Sequence, residues 1–137
     1  MIVYLDTSTV LRVLFGEGKR LAGWGRWEKA FTSEILGVEA RRAVDRARLD
    51  GHFTDERLAD VHAGLAAIER SLSRVRLTRG VLRRAAMPMP TMVKTLDALH
   101  LATAVVLRES HTPELVFATH DRTQATAARA LGFECVG

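Results

Sequence analysis

Hydrophobic positions in this chain follow two rhythms. Ile2, Val3, Tyr4 and Leu5 form an unbroken apolar run, which predicts a short strand buried on both faces, as in a parallel sheet. From Thr7 the spacing turns helical. Val10, Leu11, Leu14 and Phe15 share one face and predict a helix over 7–15, interrupted by Gly16 and Gly18. Trp24 and Trp27, three apart, predict a second short helix. Ala30 to Thr32 reads as a brief strand. Ser33 then opens a long helix to about Leu49, stopped by Gly51, with Ile35, Leu36 and Val38 heading its apolar line.

The second half repeats the alternation. Thr54 caps a helix carrying Leu58, Val61, Leu65 and Ile68 on one face, although Arg57 stands where a capping box places Glu. Val75 to Thr78 is a further candidate strand, and Val81 to Ala86 gives one or two helical turns. Pro88 and Pro90 break the chain. Thr95 to Arg108 is a strongly apolar helix, with Leu96, Leu99, Ala102 and Val106 on its core side. Leu115 to Ala118 is a short apolar run ending in Thr119, His120 and Asp121. Arg122 to Leu131 is a helix closed by Gly132, and Phe133 to Val136 is a last strand. Strands alternating with helices predict an α/β domain with a mainly parallel sheet. No repeat, low-complexity tract or linker divides residues 1–137, which predicts a single domain.

Composition narrows the setting. An apolar fraction of 47% in 137 residues is ample for one core. No apolar run approaches membrane-spanning length, and the first residues lack a signal-peptide pattern. Cys135 is the single cysteine, so neither an internal disulfide nor a zinc-type Cys/His spacing is available. These features predict a soluble, cytoplasmic protein. The net charge is +4, and only Lys19, Lys29 and Lys94 of the 20 basic residues are lysines. Arginine suits bidentate contact with phosphate, so a nucleic-acid partner fits, as does a compositional habit of the source proteome.

The acids carry the chemistry. Ligands of an open parallel sheet bind beyond the carboxyl ends of the strands. Asp6 and Asp121 each follow a predicted strand and precede a helix, where an aspartate also serves as an ordinary N-cap. Glu39 borders the apolar face of its helix, and Arg41 and Arg42 beside it offer a plain salt bridge. Asp97 lies in the first turn of its helix, where it complements the helix dipole. Leu96, Ala98, Leu99 and Leu101 surround it in sequence, and a carboxylate there is costly unless paired or bound to a cation. Converging carboxylates raise one another's pKa unless a cation sits among them. Oxygen-only donors suit Mg²⁺ or Mn²⁺ better than Zn²⁺. An acidic cleft holding such an ion on an arginine-rich body fits phosphodiester hydrolysis.

The stretches VYLDTSTVL, TSEILGVEARRA, LDALHLATA and FATHDRTQATAARALGF, in that order, resemble the PIN domain, and within it the VapC-type toxins of bacterial toxin–antitoxin pairs. The resemblance covers nearly the whole chain. It implies a three-layer α/β/α sandwich around a parallel sheet and a Mg²⁺- or Mn²⁺-dependent endoribonuclease, the toxin of a type II pair. By resemblance Asp6, Glu39, Asp97 and Asp121 line the metal site. Thr119 holds Asp6 through its hydroxyl, and Ser8 is the small polar residue beside the first acid. The implied partners are RNA of the tRNA or rRNA class, a cognate antitoxin whose tail covers the acidic cleft, and a second copy in a homodimer. By resemblance the fourth acid is the loosest of the four positions, which leaves Asp121 either touching the metal or orienting its waters.

Other residues qualify this reading. Glu34 lies five positions before Glu39; on one helix it would sit about 140° away, and it is assigned to a helix-start charge after Ser33. In the basic run Arg41, Arg42, Arg46 and Arg48, Arg42 is the favoured residue for contact with phosphate or for pairing with an acid of the same chain. His100 and His120 lie near the acids; His100 is read as a packed or partner-facing histidine and His120 as a loop residue, rather than as bases. One tryptophan of the pair is assigned to the core and the other to contact with a partner. Cys135 is read as a small core residue. An aspartyl-phosphate phosphatase wants a second aspartate two residues after the first, where this chain has Ser8. A phospho-acceptor receiver wants a late lysine at a strand end, and Lys94 precedes a helix. An inactive PIN-like binding module is the remaining alternative.

Overall fold

A computed structural model describes residues 1–110 and 112–137. Five parallel strands form one sheet in the order β3-β2-β1-β4-β5. They are β1 (Ile2–Leu5), β2 (Lys29–Ser33), β3 (Ser73–Val75), β4 (Val116–Ala118) and β5 (Cys135–Val136). The helices are α1 (Thr7–Phe15), α2 (Leu36–Leu49), α3 (Asp55–Ser71), α4 (Arg79–Ala85), α5 (Thr95–Ser110) and α6 (Arg122–Ala130).

Strand alternation builds the layers. Val3 and Leu5 point into one core with Val10, Leu14, Leu36, Val44, Val61 and Leu65, drawn from α1, α2 and α3. Tyr4 points into the other with Leu101, Val105, Phe117, Ala127 and Phe133, which places α5 and α6 on the opposite face. The result is a three-layer α/β/α sandwich. Because β1 is central, Val3, Tyr4 and Leu5 are all fully buried, which accounts for their unbroken apolar run. Among the described residues no helix is long and apolar enough to cross a membrane.

Several boundaries depart from the periodicity. Ser33 ends β2 and does not open the following helix, which begins at Leu36. Glu34 is therefore not a helix-start charge. Its backbone N–H donates to Val75 O at 2.9 Å, and its Oε1 accepts from Leu77 N at 2.7 Å, tying β2 to the end of β3. The tryptophan segment forms turns rather than a helix, with Gly23 and Gly25 at φ of 75° and 80°. Trp24 and Trp27 pack edge to face at 5.1 Å, both half-buried against the α1–α3 core. β3 lies two residues earlier than expected and β5 is confined to Cys135–Val136. Val38 and Leu96, expected in the core, are 65% and 49% exposed.

Candidate active site

The strand order puts a topological switch at β1. The chain first runs outward through β2 and β3, then returns to place β4 on β1's other side. A crevice opens at such a point, beyond the carboxyl ends of the two strands. Asp6 N donates to Ala118 O at 3.1 Å, closing the last rung of the β1–β4 ladder and setting Asp6 on the crevice wall.

Asp6 is 3% exposed, and its carboxylate is held from three sides. Ser8 Oγ donates to Oδ1 at 2.6 Å, Thr9 N to Oδ1 at 3.3 Å, and Thr119 Oγ1 to Oδ2 at 2.8 Å. The two hydroxyls also bind the loop after β4. Ser8 Oγ accepts from His120 N at 2.9 Å, and Thr119 Oγ1 from Asp121 N at 3.0 Å. Small hydroxyl residues fit here because each must donate to a carboxylate and accept from a backbone N–H within one tight space. Desolvation dominates nonetheless: burial pushes Asp6 up to about 6, against the lowering influence of His100 and of the Ser8, Thr119 and Thr9 donors.

Asp121 caps α6, its Oδ1 accepting from Gln124 N at 2.9 Å. The cap and the cleft position coexist, as they do at Asp6, whose bond from Thr9 N caps α1. Asp97 is half-buried in the first turn of α5. Burial raises its pKa, and the nearby charges of Asp121 and Glu39 raise it further. Glu39 approaches from α2 and pairs with neither Arg41 nor Arg42. Its Oε1 accepts from Thr7 Oγ1 at 2.9 Å and lies 2.6 Å from His100 Nε2.

These side chains share one cavity of about 590 Å³. Asp6, Glu39, Asp97 and Asp121 line it, with Thr7, Ser8, His100 and Gln124 between them and Leu11, Val38 and Leu96 among its apolar walls. Arg42 and Arg46 stand at its edge. Among the described residues no three His, Cys, Asp or Glu side chains are gathered tightly enough to hold an ion alone. The donors are nevertheless hard oxygens whose mutual repulsion raises Asp97. That combination fits Mg²⁺ or Mn²⁺ retaining several of its waters and touching one or two carboxylates.

The arginine run divides. Arg41 forks onto Glu69 at 2.9 and 2.8 Å, and Arg42 and Arg48 both engage Asp45. Arg46 has no carboxylate partner among the described residues. Sequence reasoning missed Tyr4, Thr7 and Gln124 as site neighbours. Thr7 directly follows Asp6, which is the one local signal available for it.

Comparison with known proteins agrees with this architecture. The family model of the PIN domain matches residues 3–130. Ribonuclease VapC47 of Mycobacterium tuberculosis is 30% identical over 139 aligned positions, covering 96% of this chain and 93% of that protein. In the crystal structure of VapBC-5 from the same organism, a chain superposes with a TM-score of 0.66 at 18% identity, covering 98% of this chain and 97% of its own length. PAE2754 from Pyrobaculum aerophilum gives a TM-score of 0.65 at 21% identity over 98% of this chain and 83% of that one.

Proposed function

We propose that this chain, which belongs to the PIN domain family and within it to the VapC type, is a metal-dependent endoribonuclease, the toxin of a type II toxin–antitoxin pair. One observation carries the reading. Four carboxylates from the end of β1, from α2, from α5 and from the loop after β4 line a single cleft beside Arg46, which has no carboxylate partner among the described residues. VapC47 is named a ribonuclease, and VapBC-5 belongs to a toxin–antitoxin family.

In this reading Asp6, Glu39, Asp97 and Asp121 would hold Mg²⁺ or Mn²⁺, directly or through the waters it keeps. The bound ion supplies charge stabilisation at the phosphodiester and acidifies water. The chain's own residues do the rest. Ser8 and Thr119 orient the Asp6 carboxylate, while Arg42 and Arg46 receive backbone phosphates of the RNA, of the tRNA or rRNA class. Val38 and Leu96 offer apolar contact at the cleft rim to an antitoxin segment. The exposed Leu82, Met87 and Met92 offer a face for a homodimer. The protein acts in the cytoplasm.

The test is cleavage of total cellular RNA by the purified chain with Mg²⁺ or Mn²⁺, with chelator, and with Asp97→Asn in parallel. Discrete fragments that disappear with chelator and with the variant are expected. A folded, antitoxin-free chain that leaves the RNA intact with either ion would overturn the reading.

A further inference from the structure

We propose that His100 is a positioning residue: its Nε2 holds the Glu39 carboxylate at the cleft, and Tyr4 fixes the ring that does so. The catalytic part of this inference rests on the nuclease reading above; the geometric part stands without it.

Three contacts form a continuous path from the middle of the sheet to the cleft. Tyr4 Oη lies 2.8 Å from His100 Nδ1, His100 Nε2 lies 2.6 Å from Glu39 Oε1, and Thr7 Oγ1 donates to that same oxygen at 2.9 Å. The path joins β1, α5, α2 and α1. Its inner end cannot shift. Tyr4 is fully buried on the central strand, stacked on Phe117 at 5.3 Å and edge-on to the His100 ring at 5.9 Å. A carboxylate only accepts, so the contact between Nε2 and Glu39 Oε1 calls for the ring proton on Nε2, which leaves Nδ1 of the neutral ring to accept from the Tyr4 hydroxyl.

The consequence is geometric. Tyr4 is two residues before Asp6, which directly follows β1, so the strand that leads into one cleft acid also fixes a second acid contributed by α2. His100 is 2% exposed, and its two ring nitrogens are both engaged. Partners behind a ligating side chain commonly change activity about 10- to 100-fold when removed.

The experiment compares wild type with His100→Leu, His100→Gln and Tyr4→Phe, each checked for thermal unfolding. Initial rates are measured on total cellular RNA over a range of RNA concentrations with Mg²⁺. Glutamine can present an amide N–H near the position of Nε2, whereas leucine cannot. His100→Leu is expected to lower kcat by about 10- to 100-fold with KM little changed, and His100→Gln to recover most of that loss. A folded His100→Leu chain with wild-type kcat would overturn the proposal, as would His100→Gln no better than His100→Leu at equal stability.

Nitrogen-15 NMR of the imidazole supplies a readout independent of cleavage. A single Nε2–H form in the wild type, losing its exclusivity in Tyr4→Phe, is expected. An Nδ1–H ring in the wild type would turn a lone pair toward Glu39 and reject the assignment. Should the wild type cleave no RNA, the nuclease reading fails while this NMR result still decides the positioning geometry.

Discussion

Thr119 donates its hydroxyl to Asp6 Oδ2 at 2.8 Å although 113 positions separate the two residues. The bond ties the end of β1 to the end of β4 across the switch point of the sheet. It also shows the conflict built into the cleft. Asp6 has three donors, which favour its charged form, and almost no water, which opposes it. Burial prevails, since the carboxyl sits at about 6 rather than near 3.8. A charged Asp6 is therefore a cost to the folded chain until a cation offsets it.

Asp6→Asn should stabilise the metal-free protein at neutral pH. Between the ordinary carboxylate pKa and about 6 the folded chain keeps a proton that the unfolded chain has released. Stability from this group thus falls as pH rises through that window, by on the order of 3 kcal/mol in all. Asparagine carries no such penalty. Thermal unfolding in chelator should give the variant a higher Tm than wild type at pH 7, with the difference shrinking toward pH 4. A difference of the same size at both pH values would contradict the assignment.

Added Mg²⁺ should raise the wild-type Tm in a pH-dependent manner. Ion binding needs deprotonated carboxylates, and both Asp6 and Asp97 are shifted upward in the metal-free chain. The gain in Tm should be present at pH 7.5 and fade below about 6, where protons compete for Asp6. Millimolar Mg²⁺ that stabilises equally at pH 5 and pH 7.5 would place the ion elsewhere.

The parts of this fold that were legible in the sequence are those written by local rules. β1 and α1 follow from an apolar run and a helical period, and Asp6 falls at the strand end that parallel sheets use for ligands. Thr54 caps α3 through its own side chain, accepting from Arg57 N at 3.1 Å. What escaped depends on contacts distant in sequence. Ser33 and Glu34 look like a helix start, yet pairing with β3 keeps Ser33 extended and engages Glu34 with Leu77. The tryptophan spacing suggests a helix, but two glycines of positive φ turn the chain there. Val38 and Leu96 satisfy a helical period and still face the cleft, because periodicity cannot tell a core from the apolar wall of a binding site. The path from Tyr4 through His100 to Glu39 has no local signature, since its links span 96 and 61 positions.

Gly37→Ala should destabilise the fold without disabling the cleft. A Cβ at Gly37 would lie 2.6 Å from Glu69 Oε1 and 3.1 Å from Arg41 Nη1. The Arg41–Glu69 fork covers the glycine, and Glu69 is largely buried, so the fork cannot simply swing into water. Loss of this charge-assisted pair should cost on the order of 1 to 3 kcal/mol. Urea unfolding at pH 7 tests it. The deficit should narrow in acid, because Arg41 holds Glu69 below its ordinary pKa and that contribution is lost as pH falls through the lowered value. An unchanged midpoint would mean that the fork relocates freely.

Arg46→Ala should weaken RNA binding more than Arg42→Ala, although both line the cleft. Asp45 holds Arg42 at 3.2 Å and so diverts part of its charge, whereas Arg46 has no carboxylate partner among the described residues. An exposed guanidinium with no carboxylate in ion-pair contact among the described residues can neutralise a phosphate and release its counterion. The measurement is binding of labelled total cellular RNA to Asp97→Asn protein, which separates affinity from cleavage. Removing Arg46 should reduce the slope of log K against log salt by about 0.7 if the contacted strand is single. Removing Arg42 should reduce it less, since part of its charge already serves Asp45. Equal slopes for the two variants would show that Asp45 releases Arg42 when RNA arrives. An unchanged slope in both would move the RNA track off this edge of the cleft.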